Sequence, residues 1–455
     1  MADLAAIFKA YDVRGLVTEQ LDEPTARQIG AAFAAEVIDG STDPAVVVGH
    51  DMRPSSPGLA AAFADGVRDT GADVVMIGLA STDQLYFASG RLGLPGAMFT
   101  ASHNPAKYNG IKLCRAGAVA LAANTGLTAI RDRVATERRP AAPGSGRGAL
   151  EQRDMLTSYA DHLLDIVHVV GRRLKVVVDA ANGMAGHTVP TIFRALDVDL
   201  VPLYFDLDGT FPNHEANPLD AANLKDLQAA VVREQADVGL AFDGDADRCF
   251  VVDEQGGQVS PSALTGLIAV RELEKEPGAR IIYNLISSRA VPEVIRRHGG
   301  VPVRTQVGHS LIKATMAEEN AVFGGEHSGH FYFRDFWYAD SGMLAALHLL
   351  AALAANDRPV SRLLAEYDPY ASSGEINLTT DSADRVVDAV LSRYVDDPGV
   401  RIDHLDGLTV SARRWWFNVR PSNTEPLLRL NVEGDDSATM AAVRDEVLSL
   451  LRRNS

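Results

Sequence analysis

Four short segments concentrate side chains suited to group-transfer chemistry. In TASHNP, residues 100–105, Ser102 stands among small residues after the apolar run LPGAMFT, and Asn104 and Pro105 favour a turn. A hydroxyl on such a turn can project into a cleft where a phosphate is approached from one side, although a surface turn has the same composition. In VGLAFDGDADR an apolar strand ends in Asp243, Asp245 and Asp247, alternate residues separated by small ones. Alternation puts the carboxylates on one side, a donor set that suits a hard cation such as Mg2+ sharing a phosphate oxygen. The rest of an EF-hand loop pattern is missing. In GGEHSGH, residues 324–330, Glu326 and Ser328 can hold sugar hydroxyls and His330 can move a proton near neutral pH, whereas His327 also suits a structural role. In RPSNTEP, residues 420–426, Arg420, Ser422, Asn423, Thr424 and the turn amides form a candidate cradle for a phosphate monoester, or a polar turn between strands.

These segments need elements to position them. Three stretches, beginning at Val46, Lys175 and Arg280, each open with a β-branched run, pass a turn, continue as a helix-like stretch and return to a second apolar run. AVVVGHD leads to LAAAFADGVRDTG and DVVMIG, KVVVDAANG to HTVPTIFRALDVD and LVPLYF, and RIIYNLISS to VPEVIRRHGG and VPVRTQVG. Strand, helix, strand implies parallel pairing through right-handed crossovers, hence three topologically related α/β domains with mixed, largely parallel sheets. From Asp368 onward, short strand-like runs (GEINLTT, LTVSAR, WWFNVR, LLRLNVE) surround two helical stretches, a smaller α+β domain. The expected architecture is four domains around a central cleft: 1–145, 153–253, 254–367 and 368–455. The Pro/Gly/Arg-rich stretch of residues 137–152 reads as the clearest linker.

Bulk properties set outer bounds. A chain of 455 residues exceeds what one core organises. A formal charge of -17 argues against binding nucleic acid or an anionic membrane, so any phosphate ligand needs a local basic pocket. Two distant cysteines, Cys114 and Cys249, make no disulfide framework and fit a reducing compartment. Neither a signal-peptide pattern at the N-terminus nor the apolar run Met343–Ala355, interrupted by His348, implies a membrane, and a cytoplasmic protein is expected.

Taken in order, the four segments resemble the α-D-phosphohexomutase superfamily, most closely its bacterial phosphomannomutase/phosphoglucomutase branch, across essentially the whole chain. The resemblance implies a phosphorylated Ser102 that also ligates Mg2+ with Asp243, Asp245 and Asp247. It implies sugar contacts from Glu326, Ser328 and His330, and phosphate contacts from Arg420, Ser422, Asn423 and Thr424. It extends to Tyr11 and Arg14 in AYDVRG, Lys112 in GIK, Arg248 after the acidic loop and His309 in GHSLIK. The implied reaction is a double phosphoryl transfer on a small-molecule phosphosugar through a hexose 1,6-bisphosphate, with His103, Lys112 and His330 as candidates for proton transfer. One departure is Ile286 in NLISSR, where many relatives carry lysine. The GEHSGH and SNT variants resemble the phosphomannomutase branch, which implies mannose phosphate with glucose phosphate as a second substrate; SNTEP in place of SGTEP is unlike the glucosamine phosphate branch. Oligomeric state is not legible.

Two other readings compete. FDLDGT, residues 205–210, matches the DxDGT nucleophile pattern of haloacid-dehalogenase-type phosphotransferases, which would place the phosphate on Asp206; its continuation, DGTFPNHEANPL, follows the phosphohexomutase pattern instead. A catalytically silent phosphosugar-binding protein would tolerate loss of Ser102 or an aspartate, and all are intact.

Overall fold

The computed structural model describes residues 3–38, 44–136, 146–380, 382–421 and 427–454. The first three units share one topology. In the first, Ala45–His50 lies between Asp73–Leu79 and Gly96–Phe99, parallel to both, and Tyr108–Arg115 runs antiparallel beside Gly96–Phe99. The second repeats this with Leu174–Asp179 between Val198–Leu203 and Val238–Phe242, followed by antiparallel Cys249–Val252. The third places Arg280–Asn284 between Val301–Thr305 and Phe323–Gly325, followed by antiparallel Phe331–Phe333. The central strands are continuous β-branched runs because both sheet faces are covered: Val46, Val47 and Val48 are all fully buried.

The shared topology settles where the first three chemistry-bearing segments fall. Each lies on the turn between the third parallel strand and the antiparallel fourth, at the carboxyl edge where open α/β sheets place ligands. TASHNP, DGDADR and GEHSGH are therefore equivalent loops of three equivalent units. The fourth unit is an antiparallel sheet in the order Ala371–Thr379, Leu427–Gly434, Trp415–Pro421, Leu408–Ser411, Arg401–Asp403, with the helices Ala383–Tyr394 and Ser437–Asn454.

One apolar core runs through the first three units, joining Phe87, Tyr159, Phe336 and Leu344, whereas the fourth keeps a separate core around Phe417 and Leu430. The helix Gly342–Ala354 buries every residue but Ala352, which is why its sequence is apolar all round. Both cysteines are buried and free. Among the described residues no helix is long and apolar enough to cross a membrane. Part of the stretch read as linker is not one: Leu150–Gln152 pairs in parallel with Val74–Met76 and extends the first sheet. Its composition hid this because an exposed three-residue edge strand needs no apolar alternation; residues 137–145 lie outside the described set.

The three joined units meet at Asp83. Its buried carboxylate accepts hydrogen bonds from Ser81 in the first unit, Tyr159 in the second (2.7 Å) and Ser341 in the third (2.7 Å). Burial pushes its pKa up to about 6 against the opposing effect of these hydroxyls. The folded state thus binds a proton more tightly than the unfolded chain, so this contribution is fully present below the ordinary carboxylate pKa and lost as pH rises through about 6. Thermal or urea melts of Asp83→Asn beside the wild type should show the variant gaining relative stability from about pH 4 to about pH 6, by up to about 3 kcal/mol. A pH-independent difference would contradict this.

Candidate active site

Ser102 adopts a φ of 50°, a left-handed conformation costing a residue with a Cβ about 1–2 kcal/mol. It is 3% exposed; its hydroxyl donates to Asp243 Oδ2 at 2.8 Å and accepts from Arg248 Nη2 at 3.1 Å. His103 Nδ1 lies 3.2 Å from the same oxygen and accepts from Arg248. Burial first, then Arg248 and Arg14, hold the His103 imidazole well below its ordinary pKa, hence uncharged. Arg14, on the strand Val13–Leu16, donates to Asn104 Oδ1 and Asp12 Oδ2.

Asp243, Asp245 and Asp247 are fully buried and bring one oxygen each within 4.8 Å of the others. Such crowding without water requires cations. Lys112 Nζ donates to Asp245 Oδ2 at 2.7 Å and Asp247 Oδ2 at 2.5 Å, Arg248 Nε lies 3.1 Å from Asp243 Oδ2, and Thr82 donates to Asp245 Oδ2 at 2.5 Å. Burial, Asp245 and Asp247 push the Asp243 carboxyl up. Burial works the same way on Asp245, but Lys112, Thr82 and Arg248 take it far below the usual range. Burial would lower the Lys112 ammonium, yet Asp245 and Asp247 hold it well above its ordinary value. Asp245 Oδ1 and Asp247 Oδ1 are buried without a hydrogen-bond donor, so the set retains lone pairs that fit a divalent cation.

The acidic loop is stitched to the third loop by an isolated β-bridge between Arg248 and His330 and by Cys249 N donating to Gly329 O at 3.2 Å. Glu326 accepts from Tyr332 Oη at 2.7 Å and Ser328 Oγ at 3.3 Å, and His330 Nδ1 lies 3.0 Å from Ser328 Oγ. Burial lowers the His330 imidazole, but Glu326 and Asp247 outweigh it and raise the pKa. Tyr11 packs its hydroxyl against Gly308, which has a φ of 144° and leaves no room there for a side chain. Arg420 is 4% exposed, its guanidinium donating to Asn431 Oδ1 at 3.0 Å and Glu375 Oε2 at 2.7 Å. His309 opens the helix His309–Glu319; its side chain lies outside the described residues, as do Ser422, Asn423 and Thr424. Ile286 is buried between Arg280–Asn284 and the helix Ala290–Arg297.

The structure therefore brings together Ser102, His103, Arg14, Lys112, the three aspartates, Arg248 and His330, with Glu326 and Ser328 adjoining. It does not bring Asp206 there. That side chain is exposed, and Asp208 turns back on Thr210. Thr82 and Arg53, which hold the acidic loop and the serine loop, were not singled out in the sequence. Thr82 sits beside a helix cap, Ser81, and Arg53 follows the strand end at His50 and Asp51, yet neither belongs to a chemistry-bearing pattern.

A serine hydroxyl held between carboxylate and guanidinium beside crowded acids, on the carboxyl edges of three α/β units, is an arrangement suited to group transfer. Models of the phosphoglucomutase/phosphomannomutase domains match in order: alpha/beta/alpha domain I at residues 5–140, domain II at 157–257, domain III at 260–370 and the C-terminal domain at 375–450. A relative from Xanthomonas campestris named for phosphohexose mutases is 42% identical, covering 98% of this chain and 99% of its own. A phosphomannomutase from Escherichia coli is 39% identical, with coverage of 98% and 99%. The crystal structure of a phosphoglucomutase/phosphomannomutase family protein from Burkholderia thailandensis superposes with a TM-score of 0.90 at 35% identity, over 100% of this chain and 98% of that one. The chain belongs to the phosphoglucomutase/phosphomannomutase family.

The electrostatics generate a test that needs no substrate. Lys112→Met removes the cation shared by Asp245 and Asp247, and with chelator present it should cost about 3–5 kcal/mol. Added divalent cation should raise the melting temperature of the variant more than that of the wild type. Equal shifts would show that the cation does not act where Lys112 does.

Proposed function

We propose that this protein is a phosphomannomutase that interconverts mannose 1-phosphate and mannose 6-phosphate, with glucose phosphates as a second substrate pair. The observation that carries the reading is the Ser102 hydroxyl, fixed between Asp243 and Arg248 at a buried three-carboxylate site. Asp243, Asp245 and Asp247, with the phosphate on Ser102, would hold Mg2+, which when bound neutralises charge on the transferring phosphoryl group. Arg14 and Arg248 supply fixed positive charge on either side of the serine loop, the electrostatic positioning that in-line phosphoryl transfer requires.

In the forward step the P–O bond to Ser102 Oγ breaks as a P–O bond forms to a sugar hydroxyl oxygen, and the hydroxyl proton leaves to a base. His103, 3.2 Å from the Ser102 hydroxyl, Lys112 and His330 are the three candidates for that transfer. The hexose 1,6-bisphosphate then turns over, and its other phosphate returns to Ser102. Glu326 and Ser328 face the sugar hydroxyls, and the loop after Arg420 takes the distal phosphate.

Wild type supplied with Mg2+ and a trace of hexose 1,6-bisphosphate should convert mannose 1-phosphate to the 6-phosphate, and glucose 1-phosphate more slowly. Ser102→Ala should lose at least about 1,000-fold, and chelation should abolish the wild-type rate. Equal rates from wild type and variant would return the chemistry to Asp206. Binding without turnover by wild type would identify a phosphosugar sensor.

A further inference from the structure

The conformation of the serine loop is not self-supporting. Ser102 holds an unfavourable φ, and within residues 100–108 the backbone is supported by one side-chain acceptor, Thr100 Oγ1, which accepts from Ser102 N at 2.9 Å, and by two turn bonds, in which Asn104 N donates to Ala101 O and Tyr108 N to Pro105 O. Four of the loop's carbonyls converge on a single buried guanidinium. Arg53 Nη1 donates to Pro105 O at 3.0 Å and Tyr108 O at 2.9 Å, and Nη2 donates to Ser102 O at 2.9 Å and Asn104 O at 2.7 Å. Nε donates to Asp51 Oδ2 at 3.2 Å, so each N–H of the fork has an acceptor. Asp51 is itself buried and fixed by Ser56 Oγ at 2.6 Å and by Arg53 N at 3.0 Å.

The other side of Arg53 is closed by the second domain. The Phe211 ring lies 5.1 Å from the guanidinium carbon. Gly209 approaches so closely that a Cβ there would sit 2.5 Å from Arg53 Cα. On the opposite face of the loop, Gly244 of the acidic loop packs on Ser102 O, where a Cβ would come within 2.5 Å. The Ser102 carbonyl is therefore gripped between Arg53 and the acidic loop, and the DGTF segment that resembled a nucleophile motif is the wall that holds Arg53 in place.

We propose that Arg53, braced by Asp51 and locked by Gly209 and Phe211, is a positioning residue that sets the Ser102 hydroxyl against Asp243 for phosphoryl transfer. The proposal rests on the phosphoserine reading. Arg53 touches neither the reacting oxygen nor a sugar; it acts through the four carbonyls of the loop. A lysine keeps the charge but has three donors on one nitrogen and cannot span those carbonyls and Asp51 together. A loop displaced by about 1 Å loses on the order of 100-fold in rate while leaving remote substrate contacts in place.

The test compares wild type with Arg53→Lys and Phe211→Leu in the full-length protein, with kcat expressed per phosphoserine so that misfolded molecules do not count. Arg53→Lys should lower kcat by about 100-fold with KM for mannose 1-phosphate changed by less than about threefold. Phe211→Leu, which leaves the guanidinium, should lower it in the same direction and less. Amide hydrogen exchange across residues 100–108 should quicken in both variants. Wild-type kcat per phosphoserine, or unchanged exchange in that loop, in either folded variant would overturn the proposal; should Arg53→Lys fail to fold, Phe211→Leu decides it. Wild-type turnover by Ser102→Ala in the same assay would instead sink the phosphoserine reading, and the exchange data would still read whether the clamp holds the loop.

Discussion

Three carboxylates within 4.8 Å of one another, all out of contact with water, set the terms for the rest of the molecule. Their mutual repulsion in a low-dielectric interior is tolerable because cations come from elsewhere in the chain: Lys112 from the first unit, and Arg248 from the loop's own end. The serine hydroxyl enters this balance as a neutral donor to Asp243. Any phosphate it carries would add negative charge to the same spot, where Lys112, Arg248 and Arg14 are the nearby cations in a protein whose formal net charge is -17.

Repetition of one topology makes the arrangement possible. A turn from a parallel strand into an antiparallel neighbour always opens at the same sheet edge, so three such units facing one another deliver three loops to one place. Contacts between loops then tie the units together: Ser102 to Asp243, Thr82 and Lys112 to Asp245, and Arg248 to His330. The shared apolar core of the first three units and the buried Asp83 junction hold these contacts in register. The fourth unit, with its own core, joins mainly through ion pairs such as Arg289 with Glu433 and Arg304 with Asp403.

Much of this was legible in the sequence because it is local. β-branched runs followed by turns announced the central strands at Ala45–His50, Leu174–Asp179 and Arg280–Asn284, and closely spaced aspartates announced the acidic loop. What sequence could not reach was long-range support. Thr82 meets Asp245 across 163 residues, and Arg53 meets Ser102 across 49, with no spacing rule linking either pair. Leu150–Gln152 escaped for a different reason, since a short exposed edge strand lacks the apolar pattern that marks a strand.

The DGTF segment shows how far a motif can be read before geometry must decide. As a nucleophile motif it requires a carboxylate at a strand end with cations and a leaving-group path around it. Asp206 has instead an exposed side chain, and its backbone carbonyl accepts from Asn182. What the segment does supply is shape: Gly209 allows backbone to press against Arg53, and Phe211, with a φ of 53°, turns its ring toward the guanidinium. The FDLDGTF segment, which in one chemistry would carry the phosphate on Asp206, here confines Arg53 beneath the Ser102 loop through Gly209 and Phe211. Residue type alone cannot separate the two roles, because both need a small, sharply turning segment beside a phosphate site; the position of the carboxylate does.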